Sequence, residues 1–108
     1  MRKFAFAAGV LLAFVTSCNM ENPLLTESKL PYGAPQFDKI RNEHYMPAFE
    51  QGIAEAKAEI DAITDNPEEP SFENTVEAME YAGQTLDRVS GIFFNLLEAD
   101  TNDEMQKI

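Results

Sequence analysis

The chain has 108 residues, enough for one domain, with 19 acidic side chains against 8 basic ones and a net charge of −11. Such a surface repels phosphate backbones and offers no electrostatic attraction to anionic lipid, which argues against nucleic-acid binding and charge-driven membrane binding. One cysteine and one histidine exclude an internal disulfide and a Cys/His zinc cluster.

Arg2 and Lys3 open the chain, and Phe4 to Val15 follows as an apolar run of 12 residues. A membrane-spanning helix needs about 20 apolar residues, so this run has the dimensions of a secretory signal instead. Val15-Thr16-Ser17-Cys18 then resembles a bacterial lipobox: a branched apolar residue, two small ones and a cysteine. The expectation is a signal peptide at 1–17, removed before Cys18, with lipid attached to the Cys18 thiol. Several acyl chains on one residue hold a protein firmly at a bilayer. The chain is thus expected to be an exported, membrane-anchored bacterial lipoprotein, on the periplasmic or outer-membrane face. The competing reading is a plain signal peptide with an incidental cysteine.

Residues 18–37 read as a tether and an extended arm. Pro23, Pro31, Gly33 and Pro35 oppose regular helix here. Leu24, Leu25, Leu30, Tyr32 and Phe37 are too apolar for a solvated linker. The stretch "LPYGAPQF" is expected to lie against another surface, with its aromatic residues as anchors.

A first helix is predicted to begin between Asn42 and Tyr45 and to run to about Thr64. Pro47 falls in its first turn, where a missing N–H costs little. Tyr45, Phe49, Ile53, Ala56, Ile60 and Ile63 form one apolar stripe at helical period. Asp65-Asn66-Pro67 ends the helix, because the residue before proline avoids helical geometry. A second helix is predicted from Ser71, a good N-cap, to about Glu98. Its seam is Phe72, Val76, Met79, Gly83, Leu86, Ser90, Phe93 and Leu97, with Gly83 and Ser90 small enough to admit a close neighbour. Val89, Ile92 and Leu96 widen it. A short connection between two amphipathic helices predicts an antiparallel hairpin. Thr101 and Glu104 have capping-box spacing and announce a third helix, of which Met105 and Ile108 begin the apolar face. Helices that short are marginal in water, so the chain is expected to be cut short there. The fold class is all-α, and 38–108 is expected to be an incomplete amino-terminal helical domain.

Catalytic chemistry is hard to find. His44 is alone, so His-Glu-x-x-His is impossible and no metal site is expected in this chain. Asp100, Asn102 and Glu104 begin like a calcium loop, but Gln106 stands where glycine is required. Glu55 and Glu59 share a helix face and read as solvated charges rather than an acid/base pair. No catalytic residue is assigned, and Cys18 is the one candidate site.

The middle of the chain carries more. "NPLL" at 22 to 25, LPY-x-AP-x-FDKI at 30 to 40, H-Y-x-PAFE at 44 to 50, NPE-x-P at 66 to 70, SFENT at 71 to 75 and "ADTNDEMQKI" at 99 to 108 occur in the order found in one family. They resemble the amino-terminal region of the oligopeptidase A and bacterial peptidyl-dipeptidase family, relatives of thimet oligopeptidase. The resemblance implies a large, mainly helical zinc metallopeptidase that hydrolyses short peptides. In such an enzyme the metal sits on a His-Glu-x-x-His helix, and the amino-terminal helices wall a deep channel. This chain would then supply channel wall and membrane tether, the zinc being bound outside it and the 108 residues inactive alone. The lipobox departs from the pattern, since many relatives are cytosolic. The alternatives are a complete small acidic helical lipoprotein acting as a binding or adaptor module, and a coiled-coil assembly through the seam at 72 to 97.

Overall fold

The computed structural model describes residues 21–108; the expected signal peptide at 1–17 and Cys18 lie outside them. The described residues contain helices and turns and no strand. The order is a short 3₁₀ turn at Pro31–Gly33, a second at Asn42–His44, helix α1 (Tyr45–Thr64), a π-helical segment (Phe72–Glu77) running into helix α2 (Ala78–Tyr81), helix α3 (Gln84–Ala99), and a 3₁₀ turn at Met105–Lys107. The all-α expectation holds, and α1 matches its predicted limits.

The second predicted helix is interrupted. Ala82 is extended (φ −71°, ψ 142°) and Gly83 is left-handed (φ 80°, ψ 14°), so α2 stops and α3 starts afresh. Glycine takes a positive φ without a Cβ clash, and the position expected to be a small seam residue is a chain reversal instead. Ser71 is the N-cap, as expected. Its partner is Asn74: the Asn74 N–H donates to Ser71 Oγ at 3.1 Å, and the Ser71 N–H donates back to Asn74 Oδ1 at 2.8 Å. The Asn74 amide also donates to the Glu69 carbonyl at 2.9 Å, which ties the segment to the loop before it. Two orphan N–H groups are thereby satisfied.

α1 and α3 pack as an antiparallel pair. Tyr45, at the start of α1, meets Phe93 late in α3, with ring centroids 4.9 Å apart. Gly52, in mid-helix, faces Leu86. A Cβ added at Gly52 would lie 3.0 Å from the Leu86 Cα, so the backbones touch there. The row Ala48–Gly52–Ala56, at i, i+4 and i+8, is what lets them approach. The buried line of α1 is therefore Tyr45, Ala48 and Gly52, rotated from the apolar stripe; Ile53 and Ile60 of that stripe are exposed.

The core joins Leu24, Ile40, Tyr45, Ala48, Val89, Phe93 and Met105. Leu24 comes from the segment read as tether, and it is fully buried. The Asn22 side chain places it: Nδ2 donates to the His44 carbonyl at 2.8 Å and Oδ1 accepts the Leu24 N–H at 3.0 Å. The Arg88 Nε donates to the Leu24 carbonyl at 3.3 Å. Burying one leucine stabilises by about 2 kcal/mol, so "NPLL" is a plug for the open end of the hairpin. The expected anchors of the arm behave differently. Tyr32 is fully exposed with φ 61°, and Leu30 and Phe37 are half-exposed. Among the described residues Tyr32 meets no surface, and Leu30 and Phe37 are only partly covered.

The third helix is only a turn. Its cap is Asn102, whose Oδ1 accepts the N–H groups of Glu104 (3.1 Å) and Met105 (2.9 Å), in place of the expected Thr101–Glu104 pair. The Asn42 amide donates to Asn102 Oδ1 and to Glu104 Oε2, at 3.0 and 2.8 Å. That clasp holds Met105 in the core.

Candidate functional site

An apolar groove of about 740 Å³ lies between α1 and α3. Met46, Phe49 and Ile53 of α1 form one wall, and Phe93, Phe94 and Leu97 of α3 the other. Met105 and Ile108 close one end, where Thr101 and Gln106 supply the polar atoms. Phe93 is the buried pivot. Its ring makes edge-on contacts with Tyr45, Phe49 and Phe94, at centroid distances of 4.9, 5.4 and 5.3 Å. Met46, Ile53 and Phe94 are about half exposed. None of the lining side chains ionises in the physiological range, and the groove is suited to burying apolar surface.

The candidate chemical residues are scattered. His44 Nδ1 accepts the Arg41 N–H at 3.0 Å, which makes it a turn residue. Among the described residues, no three His, Cys, Asp or Glu side chains come together to hold a metal ion. Asn102 and Glu104 serve the terminal turn, and Asp100 is exposed at the end of α3. Cys18 lies outside the described residues.

Glu55 and Glu59 do more than face solvent. The Glu59 carboxylate accepts the Gly83 N–H at 2.6 Å, capping α3 from the opposite helix where Gly83 has no side chain to do so. Glu55 accepts from the Gln51 amide at 2.8 Å. That bond, then one from Thr85, hold its carboxyl below the usual range against an opposing effect of burial, with the Arg88 charge the smallest contribution. Burial pushes the Tyr45 phenol upward. The sequence marked Leu24 as too apolar for a linker without placing it in the core, and gave no sign of the close approach at Gly52 or of the Glu59 cap. The small-residue row at 48, 52 and 56 was the available signal for Gly52.

Among the described residues the hairpin leaves this apolar groove uncovered. The chain is 51% identical to the dipeptidyl carboxypeptidase of Escherichia coli (strain K12) over 87 residues, which are 81% of this chain and 13% of that protein. It is 48% identical over 87 residues to the dipeptidyl carboxypeptidase of Salmonella typhimurium (strain LT2), with the same coverage. To the Salmonella oligopeptidase A it is 27% identical over 88 residues, 82% of this chain and 12% of that protein. No protein-family model matches. Over these residues the chain is a homologue of the dipeptidyl carboxypeptidases and, more distantly, of oligopeptidase A. It spans about 13% of the length of the two dipeptidyl carboxypeptidases.

Proposed function

We propose that this chain is the amino-terminal part of a zinc-dependent peptidyl-dipeptidase that hydrolyses short peptides outside the cytoplasm. In this reading it supplies helical channel wall and, through lipidated Cys18, the membrane anchor. The observation that carries it is the 51% identity to a dipeptidyl carboxypeptidase over 87 residues. The uncovered groove supports it, because a longer polypeptide would bury that surface. The described residues do not fit a zinc site, so no step of the reaction is assigned to them. The metal and its ligands belong to other parts of the polypeptide.

The test uses the whole protein as its host makes it. A blocked tetrapeptide is offered, and release of its carboxy-terminal dipeptide is followed before and after chelation. Release that chelation abolishes and zinc restores is the expected result; no release overturns the enzymatic reading. For the anchor, Cys18→Ala is expected to move the protein from the membrane fraction to the soluble one and to abolish acyl labelling. Unlabelled wild-type protein in the soluble fraction overturns it.

A further inference from the structure

A second apolar surface lies away from the groove, on the π-helical segment and α2. Phe72, Val76 and Met79 are each at least half exposed there, at 66%, 54% and 50%. Each is followed directly by a glutamate: Glu73, Glu77 and Glu80, all exposed. Successive residues lie about 100° apart on α2 and somewhat less on the wider π-helical turns, so an apolar ridge runs beside an acidic one.

The charge around the ridge is one-sided. Between Lys57 and Arg88 the chain has nine acids and no base. The ion pair found among the described residues is Lys57–Asp61, so Glu73, Glu77 and Glu80 have no cation in this part of the chain. An apolar ridge left in water on a reciprocally capped helix start needs a cover. The adjacent acids say which sign that cover carries, since like charges facing them are costly.

We infer that the Phe72–Glu80 ridge is a docking surface for a lysine-bearing apolar helix of the same longer polypeptide. Phe72, Val76 and Met79 seat on its apolar side while its lysines face Glu73, Glu77 and Glu80. The inference rests on the proposed function, in which this chain is part of a longer protein, and the 13% coverage of its relatives is the ground for that. The groove, whose lining carries no ionisable group, takes a neutral partner, so the two surfaces call for different covers.

Footprinting and cross-linking of the whole protein test it. With hydroxyl radicals, Met79 and Phe72 are expected to oxidise far more slowly than free methionine and phenylalanine. A zero-length carbodiimide is expected to couple Glu73, Glu77 or Glu80 to lysines outside residues 21–108. Glu77→Lys is expected to lower Tm by about 2–4 °C, and Glu77→Gln by less. Oxidation at the free rate overturns the inference. So does a protected ridge whose glutamates form no such cross-links, and so does protection that appears only as concentration rises, which would assign the ridge to a second copy. A protein that cleaves peptides with its ridge bare overturns this inference alone. A protected, cross-linked ridge in a protein without peptidase activity overturns the enzymatic reading alone.

Discussion

The Glu59 carboxylate of α1 receives the Gly83 N–H, 2.6 Å away, at the first residue before α3. One side chain thus does two things. It satisfies a donor at a helix start that has no capping side chain of its own, and it pins the α2–α3 reversal to the opposite helix. A negative charge at that place also favours the helix dipole. Glu59→Ala is expected to cost about 0.5–1 kcal/mol, the usual worth of a lost cap, and Glu59→Gln less. Urea unfolding of the two variants checks this. Equal midpoints for wild type and Glu59→Ala would remove the cap from the account.

Two glycines are expected to resist alanine for different reasons. At Gly83 the obstacle is backbone: φ is +80° and the nearest outside atom to an added Cβ is the Ala56 Cβ at 3.6 Å, an ordinary contact. Gly83→Ala should therefore cost about 1 kcal/mol from left-handed strain. At Gly52 the obstacle is space. The added Cβ would stand 3.0 Å from the Leu86 Cα and 3.2 Å from its N, and backbone atoms cannot rotate away. Gly52→Ala should cost about 1–3 kcal/mol by forcing α1 and α3 apart. Thermal melts give the ranking. Gly52→Ala at wild-type stability would mean that the helices slide freely.

Phe93 is the keystone of the aromatic cluster, at 5% exposure with three edge-on ring neighbours. Phe93→Ala is expected to destabilise by about 3–5 kcal/mol, which approaches the whole stability of a small domain. Phe94→Ala, on the open side of the groove, should cost much less unless a partner covers it. The difference between these two variants, measured by denaturant midpoint in the whole protein, therefore reports on the groove. A Phe94→Ala loss near that of Phe93→Ala would show that the groove is filled.

Burial raises the Tyr45 phenol above its ordinary value, which gives an alkaline limit. The raised group leaves stability intact below the ordinary phenol pKa of about 10. Stability is then lost as pH climbs from there through the folded value, because the unfolded chain ionises first. Tyr45→Phe should flatten that loss while keeping the ring contact with Phe93. Identical alkaline melting curves for the two proteins would count against it.

The parts of this fold legible in the sequence were those set by local rules. Helix period marked α1, proline marked its end, and Ser71 marked the next start. What escaped were relations between distant residues. Gly83 reads equally as a seam residue or as a reversal, and only the close approach of α1 decides. Leu24 reads as too apolar for a tether, but where it packs is hidden because the groups that hold it in place, around His44 and Arg88, lie far along the chain. Glu59 reads as a solvated acid because the N–H it caps belongs to another helix. The apolar stripes were legible too, but which part of each is covered depends on the packing partner, and much of each stripe has none among the described residues. The groove follows from that shortfall.

Glu55 supplies the acid counterpart to Tyr45. Its carboxyl is held low chiefly by the Gln51 amide, then by Thr85, with a smaller contribution from the Arg88 charge. A depressed folded pKa contributes stability that is present above the unfolded carboxylate value of about 4.3 and is lost as pH falls through the folded one. The bond from Gln51 lies within α1, so protonation of Glu55 weakens chiefly a contact along that helix. Wild type should therefore lose more stability than Glu55→Gln when pH is lowered from about 6 to about 3, and Gln51→Ala should behave like a partial version of Glu55→Gln. Denaturant midpoints at the two pH values decide it: parallel losses in wild type and Glu55→Gln would place the acid sensitivity elsewhere among the 19 carboxylates.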